Sequence, residues 1–234
     1  MALFNTRSLI LPCLVCIASP AFAADRFHGA RARAQQALDR LPGASTLLVR
    51  WSPLRTRPSM IRNLALDVPG VGPVQRARRF LRRWPDLFVG PEDRLRQMDL
   101  RTSRQRHVVR FQQTHAGIDV DGATIAVALD PAGRIRAVHS SVEPVTLPRV
   151  TPSLGAQAAV ARARSHLARS ATRRGARQTS SRALTQLVIL PGPTPHLAYR
   201  ILLPEDPTGR FRFIDAHQGQ YLGSRPAVIA EVRR

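Results

Sequence analysis

The stretch HVVRFQQTHAGIDVDGATIAVALDPAGRIRAVHS, residues 107–140, decides how this chain is read. Its apolar residues recur at every second position. In 107–113 Val109 and Phe111 fall on one face, and in 123–129 Ile125, Val127 and Leu129 do the same. That period belongs to half-buried strands. Asp130-Pro131-Ala132-Gly133 has turn chemistry, and 134–140 (RIRAVHS) reads as the returning strand. The expectation is an antiparallel meander. Asp119-x-Asp121 beside Gly122 is assigned to a hairpin turn, because a calcium loop of the EF type needs more oxygens than two carboxylates supply.

Upstream of the meander the period is 3.6. Pro73 stands at a good first helical position. Val74, Ala77, Leu81 and Trp84 follow on one side with Phe80 beside them, while Arg76, Arg79, Arg82 and Arg83 lie on the other. This is an amphipathic helix ending before Pro85. Residues 24–67 are dotted with Arg and broken by Pro42, Pro53 and Pro58; a short helix over 31–41 and one strand over 46–51 are expected there. A helix followed by a meander is an α+β unit.

The same order returns downstream. Residues 144–152 form a Pro-rich hinge. Thr151 is a candidate cap for a helix running to about Leu167. Its buried face is open between Leu154/Ala158/Ala161 and Ala156/Val160/Ala163/Leu167. Residues 169–181 (RSATRRGARQTSS) read as a polar linker and the expected first site of proteolytic nicking. Strand-like runs follow at 184–190, 197–203 and 210–216, with 220–222 as a hairpin return. The likeness of the two halves is one of layout, without a strong sequence repeat.

The composition narrows the function classes. Of 234 residues 36 are basic and 15 acidic, a formal +21, and every basic residue is Arg. Such uniform Arg usage reads as coding bias, so the charge is discounted as evidence for a nucleic-acid partner. Nine Arg and no acidic residue fall within 144–204, but the few aromatics do not interleave with them, which favours a solvated face. Both cysteines, Cys13 and Cys16, lie in a segment with the form of a secretory signal. Arg7 is its basic end, 8–19 its apolar run and Ala21-Phe22-Ala23 its cleavage site, with the cut between Ala23 and Ala24. The run falls short of the roughly 20 residues that span a bilayer, so no stable membrane insertion is expected after its removal. The mature chain would lack cysteine, which excludes a disulfide scaffold, a thiol nucleophile and a thiolate metal site.

Recognisable catalytic chemistry is absent. The histidines (28, 107, 115, 139, 166, 196 and 217) form no i, i+4 pair, His-Glu-x-x-His does not occur, and Glu92, Glu143, Glu205 and Glu231 stand apart. There is no Gly-x-Ser-x-Gly elbow. Gly70-Val71-Gly72 has Gln75 where a dinucleotide fingerprint needs its third glycine, so it reads as a loop. Asp215 has no partner carboxylate and is assigned to stabilising a turn. No catalytic, metal or cofactor residue is assigned, and no cofactor is expected.

Met60 to Pro144 resembles the FTP domain, the fungalysin/thermolysin propeptide module of secreted zinc metallopeptidases. The resemblance lies in IRNLALDVPGVGPVQRARRFLRRWPDLF followed, after a gap, by the Val-rich strand with Phe111 and Gln113, the turn to Gly117, Ile118-x-Val120, Gly122-Ala123 and the alternating strand closed by Asp130-x-x-Gly133. The second half resembles the PepSY module. TPSLGAQAAVARARSHL is similar to its opening helix; LAYRILLP, with Tyr199, and FRFIDAHQGQYLGSRPAV, with Asp215, Ala216 and Gly219 at its hairpin, are similar to its strands.

The resemblance implies an α+β fold of two cystatin-like units, each a helix packed on an antiparallel sheet. It divides the chain into a signal peptide (1–23), an Arg/Pro-rich N-terminal extension (24–59), an FTP-like domain (60–143), a hinge (144–152), a PepSY-like domain (153–228) and a tail (229–234). It further implies a secreted, non-catalytic binding protein that inhibits or assists the folding of a thermolysin-type metallopeptidase. The chain stops at Arg234, six residues past Val228, about where a peptidase would begin. The expected partner is therefore such a peptidase in trans, or in cis if the gene is truncated. The alternative is an envelope binding module for an anionic ligand or polymer, nucleic acid included.

Overall fold

The computed structural model describes residues 21–51, 56–88, 93–142, 145–170 and 182–227. Its elements run α1 (Ala21–Asp39), β1 (Leu48–Trp51), β2 (Pro58–Leu66), α2 (Gly72–Arg83), α3 (Pro85–Phe88), β3 (Asp93–Thr102), β4 (His107–His115), β5 (Ile118–Leu129), β6 (Ile135–Ser140), α4 (Ala156–Ser170), β7 (Leu184–Leu190), β8 (His196–Leu202), β9 (Arg210–Asp215) and β10 (Tyr221–Pro226). The fold is mixed α+β, with sheet predominant. All ten strands join one sheet in the order β1-β2-β6-β5-β7-β8-β9-β10, and β4 lies along the other edge of β5 with β3 outside it.

The meander forms where the alternation places it. Phe111 pairs with Ile125, Val109 with Val127, and Val127 with Val138. These residues are buried beneath α2, whose Ala77, Phe80 and Leu81 meet them, and beside Leu87 and Phe88 of α3. Ala34, Ala37 and Leu38 of α1 complete this first core. A second core gathers Ile189, Leu197, Tyr199, Ile201 and Ile214 under α4.

Several expectations are corrected. Among the described residues the first helix spans Ala21–Asp39, so it takes in residues well before Arg31 and runs through the Ala23–Ala24 junction. The second begins at Ala156, so Thr151 is not its cap; Ser153 and Leu154 instead donate their backbone N–H groups to Ala216 O at 3.1 and 2.8 Å. Of the two stripes left open for this helix, Ala156/Val160/Ala163/Leu167 is the nearer: Ala163 and Leu167 are buried and Val160 packs against the same core, while Ala156 is exposed. Ala159, Ala163 and Leu167 face the sheet, an i, i+4, i+8 line of mostly small residues. Arg169 belongs to α4, while 171–181 of the expected linker lie outside the described residues, as do residues 1–20 of the signal and 229–234 of the tail.

Two strands had no counterpart in the sequence reading. In β2 the buried residues are Pro58, Ile61, Leu64 and Leu66, and the step from Ile61 to Leu64 falls where Asn63 takes a left-handed conformation (φ 63°) and breaks the alternation. Strand β3 is an outermost strand whose polar and apolar residues do not alternate cleanly past a register shift at Gln97–Asp99.

Ala163 is fully buried where α4 meets the sheet. Ala163→Leu should overpack that contact and cost about 1–3 kcal/mol. Ala158→Leu, on the exposed side of the same helix, should stay within about 0.5 kcal/mol of the parent. Urea unfolding of the two variants checks both values.

Candidate functional site

Strand β5 belongs to both halves of the molecule. Its C-terminal part, Ile125–Leu129, pairs antiparallel with β6, while Asp119 and Val120 pair parallel with Val188 and Ile189 of β7. Val120 and Ala123 are buried in the second core, and Ile125, Val127 and Leu129 in the first. The change of allegiance falls at an irregularity in the β4–β5 pairing. There Gly122 has φ 74°, and its carbonyl accepts the Ser141 hydroxyl at 2.7 Å, while Thr124 N–H donates to the same Ser141 oxygen at 2.8 Å. The buried Gln112 amide spans the irregularity, donating to Gln113 O (3.1 Å), Val120 O (2.6 Å) and Ala123 O (3.0 Å). Together these side chains fill gaps in the ladder where main-chain groups lack a strand partner, the Gln112 amide doing so for buried carbonyls.

Asp119 and Asp121 are not in a hairpin turn. The turn is Ala116-Gly117 (φ 49° and 81°), a two-residue connection with both residues left-handed, and the aspartates lie beyond it in β5. Pairing puts them on the sheet face opposite α2 and α4. Asp119 takes both contacts of Arg96 Nη2 (2.8 and 2.7 Å) and one from the Gln186 amide (3.0 Å). Asp121, with 4% of its side chain exposed, lies between Arg200 (2.8 Å) and Arg225. Those two guanidiniums cover the rings of Phe211 and Phe213 at 5.0 and 5.1 Å. A ladder of Asp, Arg and Phe thus crosses the seam between the halves on the side no helix from α2 or α4 covers.

The remaining positions singled out in the sequence are spread along the sheet. Phe111 is buried in the first core with the Arg78 guanidinium 5.6 Å from its ring centre, and Gln113 is fully buried on the helical side. Gly133 ends the β5–β6 turn, and its carbonyl accepts Arg76 Nη1 at 3.3 Å. Tyr199 donates its hydroxyl to Leu154 O at 2.7 Å, holding the approach to α4. Asp215 caps the β9–β10 turn, its Oδ1 accepting the N–H groups of His217 (2.8 Å) and Gln218 (2.7 Å) while Oδ2 meets His196 Nδ1 at 3.3 Å. Ala216 is buried, and Gly219 (φ 70°) passes so close to Arg162 that a Cβ there would fall 2.6 Å from its side chain.

Sequence reasoning missed the partners: Arg96, Gln186, Arg200 and Arg225. They lie far from Asp119 and Asp121 along the chain, and only the strand register brings them together. Within the described residues no group of three or more His, Cys, Asp or Glu could hold a metal ion. An open hollow of about 200 Å³ beside Gly72, Arg76, His107 and Gly133 offers no nucleophile next to a base. No helix among the described residues is long and apolar enough to cross a membrane.

The geometry is that of a surface held rigid by buried charge, and comparison with known proteins bears on what such a surface is. Residues 105–142 match the Fungalysin/Thermolysin Propeptide Motif. The match covers β4, β5 and β6, and therefore the strand shared by both cores. No curated protein matches the chain. Among solved structures the Bacillus megaterium YpeB C-terminal domain is similar at 12% identity and a TM-score of 0.37, over 85% of this chain and 96% of that one. That level of likeness is too low to carry fold or function.

A second buried charge pair braces the far end of the sheet. Asp206 accepts Arg212 Nε and Nη2 at 3.1 and 2.7 Å, with both side chains nearly inaccessible. Burial pushes the Asp206 carboxyl up, but the Thr208 hydroxyl and N–H and the Arg212 guanidinium outweigh it and hold the group below the usual carboxylate range. Asp215 behaves alike: burial raises it, and the Gln218 and His217 N–H groups with His196 bring it down further. A carboxyl whose folded value is depressed contributes stability that is complete above the ordinary value near 4 and is lost as pH falls through the folded value. Stability should therefore drop on acidification below about pH 4. In Asp206→Asn the neutral-pH stability should be lower and the acid decline shallower, measured by urea unfolding at stepped pH.

Proposed function

We propose that this chain is a propeptide-like protein that inhibits an extracellular thermolysin-type zinc metallopeptidase, assists its folding, or does both, through protein–protein binding. The observation that carries the reading is the match of 105–142 to the propeptide motif, falling on the strands around which the sheet is built. In this reading residues 1–23 are a signal peptide cut between Ala23 and Ala24, and the protein is secreted. Residues 60–143 form the FTP-like unit, 153–228 the PepSY-like unit, and each is cystatin-like, a helix laid on an antiparallel sheet. Phe111, Gln113, Gly117, Val120, Gly122, Gly133, Tyr199, Asp215, Ala216 and Gly219 serve as structural positions of the two modules, with no catalytic role.

The physics suits the role. Inhibition needs a complementary surface of roughly 800 Å² on each partner, not a reactive group. Folding assistance needs only that the surface bind the native form of the partner better than its stalled form, which shifts the population between them. The rival reading, an anionic-polymer binder, is weakened by what the arginines do at the seam and at Asp206. Arg96, Arg200, Arg225 and Arg212 are engaged by aspartates and so are less available to phosphates.

The test is inhibition. The purified chain without residues 1–23, titrated into a thermolysin-type peptidase, should lower its activity reversibly and stoichiometrically, with an association rate that falls as salt rises. Full peptidase activity at saturating protein together with an unchanged refolding yield of that peptidase would contradict the proposal, as would turnover of a substrate by the chain itself.

A further inference from the structure

In the first half of the molecule one face of the sheet lies under α2 and the other is open. Ile61, Val109, Val127 and Val138 are buried on the helical side. The residues between them point the other way, and the register sets them in two rows. One row runs Arg50, Met60, His139, Ala126 and Arg110 across β1, β2, β6, β5 and β4; the next runs Leu48, Arg62, Ala137, Ala128 and Val108. Each of these is half-buried or exposed, Leu48 at 58%. Ala126, Ala128 and Ala137 make a low floor, since a methyl group rises little above the strands. Arg50 and Arg62 stand on one side of that floor and Arg110 on the other. We propose that this trough is the docking surface for an acidic α-helix of a partner protein. The proposal rests on the reading of the chain as a protein-binding propeptide-like molecule and names the surface it uses.

Width selects a helix. From β2 to β4 there are three strand intervals, about 14 Å, and a helix with its side chains is about 10–12 Å across. A stripe of small apolar residues would rest on the alanines, as Ala159 and Ala163 of α4 rest on the second half of the sheet. Charge selects an acidic helix. Strands β1, β2, β4 and β6 and residues 123–129 of β5 contain no Asp or Glu. Among the described residues the guanidiniums of Arg50, Arg62 and Arg110 have no ion pair or hydrogen bond. Asp99, across from Arg110 in the register, holds Arg101 at 3.4 Å, and Asp119, farther along β5, holds Arg96 at 2.7 Å. Glu or Asp on both flanks of the helix would meet the free cations at the rim of an apolar contact, where charge sets specificity and association rate. A second copy of this face would bring Arg against Arg.

The experiment uses the mature chain and a fluorescein-labelled helical peptide of about 18 residues, with an Ala/Leu stripe flanked by Glu. The same peptide with Lys in place of Glu, and a duplex DNA, are the comparison arms. Anisotropy reports binding. Methyl NMR of isotope-labelled methionine reports the place, because Met60 lies in the trough, Met98 lies on β3, and no other methionine remains once residues 1–23 are removed. The expected result is saturable binding of the Glu peptide at least tenfold tighter than of the Lys peptide, with a shift of the Met60 signal and none of Met98. Arg50→Glu with Arg62→Glu, both exposed, should weaken binding at least tenfold while leaving thermal unfolding near the parent's. Arg40→Glu with Arg82→Glu, exposed just after α1 and on α2, changes the net charge equally and should leave binding within twofold. Ala128→Trp fills the floor without touching charge and should also weaken binding at least tenfold. Equal binding of the two peptides, equal effects of the two charge-reversed pairs, an unmoved Met60 signal at saturating Glu peptide, or DNA binding in the trough more tightly than the Glu peptide would overturn the proposal. So would self-association of the chain that the Glu peptide displaces. Peptidase inhibition and refolding yield are scored on the same preparations. An effect on the peptidase that Arg50→Glu with Arg62→Glu leaves whole refutes the trough and spares the proposed function; peptide binding in the trough with no effect on the peptidase refutes the function and spares the trough.

Discussion

The rest of the structure depends on one strand serving two cores. At its N-terminal end β5 gives Val120 to the core under α4, and at its C-terminal end it gives Ile125, Val127 and Leu129 to the core under α2. The parallel pairing that joins β5 to β7 is two residues long, too little to fix the halves by backbone alone. Side chains make up the difference. Asp121, nearly inaccessible, is held by Arg200 from β8 and Arg225 from β10. A carboxylate placed there alone would cost several kcal/mol in desolvation, so the pair of arginines is a condition of the arrangement and not an ornament on it. Gln112 and Ser141 satisfy the main-chain groups that the change of direction leaves open.

The arginines gain a structural explanation from the same geometry. A chain at +21 would be expected to repel itself unless its charges were engaged. Many are. Arg76 reaches Gly70 O, Gly133 O and Asp67, closing the loop before α2 onto the β5–β6 turn. Arg162 lies over the β9–β10 turn at Gly219, and Arg164 pairs with Glu205 at 2.6 Å. Planar guanidiniums with several donors suit such bracing, where a lysine would offer a single point of charge.

Much of this was legible in the sequence because the meander and α2 carry clean periods. Phe111, Ile125 and Val127 alternate, and Ala77 and Leu81 recur at helical spacing, so local pattern and tertiary burial agree. The α+β class follows from those elements. Strand β2 was hidden because Asn63 breaks its alternation, and β3 because an edge strand with its register shift buries little. The start of α4 was misjudged because Thr151 has cap chemistry, yet the segment after it is tied by Tyr199 and Ala216 instead. The seam was beyond local reading altogether. Asp119 and Asp121 have turn-like neighbours, Gly117 and Gly122, and their partners are Arg96 on β3, 23 residues back, and Gln186, Arg200 and Arg225 on β7, β8 and β10, 67 or more residues ahead. Register, not composition, makes the ladder.

A surface that works by shape must hold that shape across both cores, and the two halves carry different natural probes. Trp51 and Trp84 pack against the first core, Tyr199 and Tyr221 belong to the second, and the chain has no other residue of either type. Urea unfolding followed in parallel by tryptophan fluorescence and by tyrosine absorbance therefore tests the coupling directly. Superimposable transitions, with one midpoint and one slope, are the predicted result. Two separated midpoints would mean that the halves fold independently, and the rigid shared sheet on which the proposed binding role rests would not exist.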